Sequence, residues 1–307
     1  MEWIKKGLLF SPNKRFNWMN SHAQVPTLLV KKDRLRVYFS TRPKRTLSLT
    51  SYVDFDINDF SKILYINPEP ILELGMPGEF DEHGIMPSSI IEKDGLIFLY
   101  YSGWQRSSDM PYNNFTGMAI SKDGGDTFKK YGKNPILGRS AEEKYSATSP
   151  CVYYHNGLWH MWYTSGTYWL KIEGKYEHTY DIKYAYSKNG KDWVRTRKVV
   201  LPQRTKYEAL TKPSVIEIDD SYHMWFCYRG SKDFRNGTDS YRIGYANSND
   251  LKTWIREDEK SGIDISKTGW DSNMIAYPAV ARIKNDIVMI YNGNNFGVYG
   301  FGYAILY

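Results

Sequence analysis

The chain has 307 residues, of which 41% are hydrophobic, 24% charged and 16% aromatic, with a formal charge of +7. That balance excludes a disordered chain, and chains of this length include large single all-β units such as barrels and propellers. Two cysteines, Cys151 and Cys227, exclude a disulfide framework and a cysteine metal site, and no apolar window reaches membrane-spanning length.

In chain order, the N-terminal Trp3-Ile4-Lys5-Lys6-Gly7-Leu8-Leu9 reads as a strand with no apolar signal region, so a cytoplasmic location is expected. A repeat follows. AQVPTLLVKKDRLRVYFSTR is centred on Pro26, GIMPSSIIEKDGLIFLYYSGW on Pro87 and SATSPCVYYHNGLWHMWYTSG on Pro150. ALTKPSVIEIDDSYHMWFCYRG carries Pro213 and MIAYPAVARIKNDIVMIYNGN carries Pro278. The prolines are 61, 63, 63 and 65 residues apart. A fixed period of this kind marks a repeat architecture.

Each copy is a hairpin by its own chemistry. Asp94-Gly95, Asn156-Gly157 and Asp219-Asp220 are turn formers between β-branched and aromatic runs. Proline is tolerated near a strand's first residue, where its missing N–H need not join the ladder. A third strand recurs at Thr116–Ser121, Ile182–Ser187 and Ile243–Ser248, and a turn then leads to Phe128, Trp193 or Trp254. A fourth strand ends near Leu137, Leu201 and Ile263. Four strands make one propeller blade. The last copy stops after its third strand, Phe301–Leu306, and the N-terminal strand resembles the missing fourth. The expectation is a single all-β domain over residues 1–307, a five-bladed β-propeller of four-stranded antiparallel blades, its last blade closed by the N-terminal strand. Trp162, Trp225, Tyr100 and Tyr291 are expected to pack between sheets.

Strand direction places a pocket. The start of each first strand and the end of each second strand lie on one face, so ten segments converge on the axis. They are polar. Asp81, Glu143, Glu208 and Asp271 precede the first strands and are the candidate catalytic carboxylates. Glycosidic cleavage needs one protonated acid and one ionised partner. The same acids recur at similar distances from the repeat prolines, which equally suits loop architecture. Candidate substrate-binding residues are His22, Arg42, His83, Trp104, Lys212, Arg229, Tyr277, Asn292 and Asn294. Amides and cations bind hydroxyls and anions, and aromatic faces stack on sugar C–H surfaces. Arg42 and Arg229 either pair with the acids or grip an anion. His155, His160, His178 and His223 have no metal-ligand spacing, and no metal or cofactor is expected. The positive charge is either a solvated surface or a preference for an anionic ligand: a sugar acid, a nucleotide sugar or a phosphorylated glycan. No nucleic-acid motif accompanies it, and no membrane insertion is expected.

"MWYTSG", "MWFCYRG", "YAYSKNGKDW" and the closing strands resemble the five-bladed propellers of the glycoside hydrolase clan that includes families 43, 32, 68 and 130. GWDSNMIAYPAV, YRIGYANSNDLKTW and YNGNNFGVYGFGYAIL look more narrowly like bacterial propellers associated with surface-polysaccharide biosynthesis. The resemblance implies the fold and a carbohydrate substrate. It supplies no catalytic carboxylate: the positions where family 43 and 32 enzymes place acids hold Val25, Ser88 and Thr148. Three functions follow as expectations. The first is a glycoside hydrolase-like enzyme acting on a bacterial glycan or sugar intermediate through paired carboxylates. The second is a glycosyltransferase or phosphorylase using an activated or phosphorylated sugar. The third is a non-catalytic glycan-binding propeller.

Overall fold

The computed structural model describes residues 1–108, 110–235 and 237–307. The strands, in chain order, are β1 (Trp3–Phe10), β2 (Ser21–Val30), β3 (Arg34–Arg42), β4 (Leu49–Asp56) and β5 (Asp59–Ile66). Next come β6 (Gly84–Lys93), β7 (Leu96–Gln105), β8 (Asn113–Ser121) and β9 (Lys129–Lys130). They are followed by β10 (Ala147–His155), β11 (Leu158–Ile172), β12 (Lys175–Ser187) and β13 (Val194–Leu201). The remainder are β14 (Ala209–Ile218), β15 (Ser221–Arg229), β16 (Arg242–Ser248), β17 (Ile255–Arg256), β18 (Ala276–Ile283), β19 (Asp286–Asn292) and β20 (Phe301–Leu306). Among the described residues, helix is confined to two short pieces, Asp258–Lys260 and Asn294–Gly297, and no helix is long and apolar enough to cross a membrane. The protein is an all-β propeller.

Each first strand pairs antiparallel with its second, the second with its third and the third with a fourth. The N-terminal β1 pairs antiparallel with β20, from Trp3 opposite Leu306 to Phe10 opposite Phe301. Two fourth strands, β9 and β17, are only two residues long. The hairpin turns are set by left-handed residues: Asp94 and Gly95 at φ 53° and 74°, Asn156 and Gly157 at 48° and 79°. Such turns match the twist of the strands they join. Between third and fourth strands, Ser121, Ser187 and Ser248 each begin a side-chain-built turn. Asp123, Asn189 and Asp250 accept backbone N–H groups there, at 2.6–3.1 Å.

The first strands β2, β6, β10, β14 and β18 pack side by side, and β18 also contacts β2. The core lies between neighbouring sheets. Trp162, Trp225, Tyr100 and Tyr291 are all 0% exposed within it.

One local feature recurs in every first strand. The pairing slips at the repeat proline, between Gln24 and Thr27, Pro87 and Ser89, Thr148 and Cys151, Thr211 and Ser214, and Ala276 and Ala279. Proline cannot donate to the ladder, so the strand bulges there. In four copies the residue before proline is left-handed: Val25 (φ 53°), Ser149 (47°), Lys212 (52°) and Tyr277 (55°). For residues other than glycine this costs on the order of 1–3 kcal/mol each, the kind of strain that concentrates at functional sites. The bulge re-aims these side chains: Val25, Ser149 and Tyr277 line one cavity on the face where first strands begin.

Candidate active site

That cavity has a volume of about 670 Å³. It is walled by first-strand starts (Val25, Thr148, Thr211), second-strand ends (Arg42, Trp104, Arg229) and the β11–β12 hairpin (Lys175, Tyr176, Glu177, Tyr180). Loop residues Arg45, Tyr112, Phe234 and Arg235 complete it.

One part of the wall is cationic. Arg229 is 3% exposed and donates to His178 O at 2.8 Å, Gly230 O at 2.7 Å and Tyr241 Oη at 3.3 Å. Its guanidinium lies 3.7 Å from the Phe234 ring centre, which holds it flat. Arg42 donates to Gln24 Oε1 at 2.9 Å. Neither arginine meets a carboxylate among the described residues, so the buried Arg–carboxylate pairing anticipated for them does not form. Burial and the neighbouring Arg45 press the Arg42 pKa down, and Tyr277 partly opposes them. Glu177 is the one carboxylate in the lining among the described residues, and Arg235 holds both its oxygens, at 2.6 and 3.1 Å. Among the described lining residues, five cations (Arg42, Arg45, Lys175, Arg229 and Arg235) therefore accompany one acid, which Arg235 neutralises.

The four acids named from sequence are not gathered around this cavity; none lines it. Each is buried in the same local device. Asp81 accepts Tyr101 Oη at 2.9 Å and Lys130 Nζ at 2.7 Å. Glu143 accepts Tyr163 Oη at 3.0 Å, Ser165 Oγ at 2.7 Å and Arg195 Nη1 at 2.9 Å. Asp271 accepts Tyr291 Oη at 2.9 Å and Lys5 Nζ at 2.7 Å. Glu208 accepts Arg256 Nη2 at 2.6 Å and Arg204 N at 2.6 Å. The cations Lys130, Arg195, Arg256 and Lys5 all stand on fourth strands. The device ties a first-strand loop to the outer edge of its own sheet.

Of the candidate ligand residues, Arg42, Trp104, Arg229 and Tyr277 line the cavity. Lys212 lies beneath it, in a second axial cavity of about 420 Å³ lined by Thr27, Ser88, Cys151 and Val280. Its ammonium has no ion-pair or hydrogen-bond partner among the described residues, and burial lowers its pKa to about 8. His22 stands off the wall beside Ser21, its pKa lowered to about 4 by burial and by Arg42. His83 bonds Glu82 and leans on the Trp104 ring. Asn292 is wholly structural in its contacts, accepting Val25 N and donating to Ala23 O and Gly300 O. Asn294 likewise caps Asn273 N and Met274 N. Among the described residues no three His, Cys, Asp or Glu side chains converge as a metal would require.

Sequence reasoning missed Arg45, Tyr112, Asn114, Lys175, Tyr176, Glu177, Phe234 and Arg235. One signal was available: the third repeat separates its second-strand and third-strand motifs by an extra segment turning at Glu173-Gly174, the tip of the long β11–β12 hairpin.

The molecule is thus an all-β propeller with a cavity where its first strands begin. Residues 70–208 match the Glycosyl hydrolases family 32 N-terminal domain. The Uncharacterized protein MT1551 of Mycobacterium tuberculosis (strain CDC 1551 / Oshkosh) is 35% identical over 308 residues, covering 100% of this chain and 99% of its own. The Beta-1,2-mannobiose phosphorylase of Thermoanaerobacter sp. (strain X514) is 30% identical over 130 residues, covering 39% of this chain and 42% of its own. A solved thermostable family-43 glycoside hydrolase superposes with a TM-score of 0.69 at 16% identity, over 94% of this chain and 90% of that one. The catalytic domain of the Coprinopsis cinerea GH62 alpha-L-arabinofuranosidase gives 0.67 at 13% identity, over 99% of this chain and 96% of that one. The chain belongs to one family with the mycobacterial protein, and its fold is the propeller fold of the superposed glycoside hydrolases.

Proposed function

We propose that the chain is a carbohydrate-active enzyme working at the 670 Å³ cavity on a glycosidic bond, with an anion held by the arginine wall. The observation that carries this reading is the charge of the wall: among the described residues it has five cations and a single carboxylate, which one of those cations pairs. Hydrolysis by two carboxylates needs a pair flanking the bond. The four buried acids are each engaged elsewhere, which favours the second expectation over the first: transfer to or from a phosphate or phosphorylated sugar. Phosphate attack on the anomeric carbon makes the new C–O bond as the glycosidic bond breaks, and the departing oxygen takes a proton. One acid then suffices, because the phosphate is already a nucleophile and brings the proton in its own hydroxyl. Glu177, the carboxylate among the described lining residues, would relay it once freed from Arg235. The part-length similarity to a mannobiose phosphorylase agrees with this chemistry. The relatives are bacterial, in keeping with a bacterial glycan or sugar intermediate as substrate. On the same reading the five four-stranded groups are five blades of one domain, with β1 closing the ring.

Incubation with β-linked disaccharides, with and without phosphate, tests the reaction. Phosphate-dependent release of a sugar 1-phosphate is the expected result. Phosphate-independent hydrolysis at an unchanged rate contradicts it and returns the reading to hydrolase chemistry.

A further inference from the structure

Opposite in character to the arginines, a second stretch of the cavity wall is uncharged and under-bonded. Trp104 Nε1, Asn114 Oδ1 and Thr148 Oγ1 are buried and have no hydrogen-bond partner among the described residues. All three residues line the cavity. They are neighbours by topology. Trp104 and Asn114 are directly paired across β7 and β8. Asn114 adjoins Phe115, which bridges to Ala147, the residue before Thr148. The indole lies against Gly84, its partner on β6, where any side chain would collide with Nε1.

Buried polar atoms are ordinarily bonded, and each one left without a partner costs free energy. Thr148 is only 3% exposed, so bulk water does not supply its bond. Three such atoms on one wall of one cavity are placed to meet a ligand. Their chemistry selects it. The indole offers a donor, the amide an acceptor or a donor according to its orientation, and the hydroxyl either. An anion is poorly matched to an amide oxygen, whereas a hydroxyl both donates and accepts.

We infer that Trp104, Asn114 and Thr148 form the subsite for the uncharged ring of a sugar whose anionic group sits on the arginine wall. The inference rests on the reading of the cavity as an anionic-sugar site and assigns its two ends. The substrate class is a hexose carrying an anionic group, with vicinal hydroxyls turned toward β7, β8 and β10.

Calorimetric titration of the full chain with inorganic phosphate and with glucose, mannose and galactose 1-phosphates tests it. At least one hexose phosphate is expected to bind about tenfold or more tightly than phosphate, since several hydrogen bonds are added. Thr148→Val and Trp104→Phe are each expected to lower that affinity by about 3- to 10-fold and to leave phosphate affinity within about 2-fold. Thr148→Val keeps the side chain's shape and removes an unbonded hydroxyl, so its melting temperature should equal or exceed that of the wild type. Hexose phosphates binding no tighter than phosphate, or variants weakening both alike, overturn the inference and leave the anion reading standing. Absence of phosphate binding to the wild type overturns both.

Discussion

Lys5 Nζ lies 2.7 Å from Asp271 Oδ2, joining residues 266 apart in the sequence. The same bond type joins Lys130 to Asp81, Arg195 to Glu143 and Arg256 to Glu208, each time from a fourth strand to the loop before a first strand. In three of the four copies, the tyrosine twenty residues beyond the acid completes it: Tyr101, Tyr163 and Tyr291. The N-terminal strand thus reproduces the chemistry of a fourth strand as well as its position.

These acids are therefore expected to govern stability. Removing one partner of a buried pair is strongly destabilising, because it strands the other; about 1–3 kcal/mol is expected here, since Lys5 is partly solvated. Asp81→Asn and Asp271→Asn should lower the melting temperature by several degrees while kcat, assayed well below melting, stays within about 2-fold of wild type. A selective loss of kcat with an unchanged melting curve would show that they act in catalysis.

Lys212 should cost stability. Its folded pKa of about 8 lies below the ordinary lysine value of 10.5, so the penalty is fully present below pH 8 and is relieved as pH rises from 8 toward 10.5. Lys212→Met is expected to stabilise the protein at pH 7 by on the order of 3 kcal/mol, with the gain shrinking above pH 8. Urea denaturation at pH 7 and pH 10 measures it. Equal gains at both pH values would contradict the assignment.

Asp181 behaves in the opposite sense. Burial, with Glu143 adding to it, raises its carboxyl pKa to about 6, while Lys183 pulls the other way. Its Oδ1 has no hydrogen-bond partner among the described residues. An acid with a raised folded pKa contributes stability that is complete below the unfolded value near 3.8 and is lost as pH rises through 6. Asp181→Asn should match wild type near pH 4 and exceed it at pH 7, by on the order of 2–3 kcal/mol. Thermal denaturation across pH 4–7 gives the comparison, and a constant difference would refute it.

The Glu177–Arg235 pair ties the β11–β12 hairpin to the loop that carries Phe234. Arg235 is 54% exposed, so the pair should contribute less than about 1 kcal/mol to stability. Glu177→Gln is expected to leave the melting temperature nearly unchanged and to reduce turnover at least about tenfold if Glu177 relays the proton. Unchanged turnover would remove it from the mechanism.

Much of the fold was legible because five prolines, five aromatic second strands and three Ser-x-Asp or Ser-x-Asn turns repeat with one period. The face bearing the cavity followed from strand direction alone, and Arg42, Trp104, Arg229 and Tyr277 were found that way. The acids were legible as a recurring pattern, but recurrence could not separate a catalytic set from a scaffold. The tyrosine and cation partners that settle their surroundings are distant in sequence. Glu177 and Arg235 were not legible, since they come from a hairpin extension and a loop unique to single repeats. The left-handed backbone before four prolines was equally hidden: Val25, Ser149, Lys212 and Tyr277 share no residue type, and only the bulge makes them alike.

The central claim is that the cavity's cations hold an anion. Titrating phosphate into wild type and into Arg42→Met and Arg45→Met measures it most directly. Arg45 is exposed and Arg42 makes one side-chain hydrogen bond, so both variants should fold. The account predicts saturable binding by the wild type that weakens with added salt and falls about tenfold or more in each variant. Phosphate that does not bind, or binds equally well to all three proteins, would contradict it.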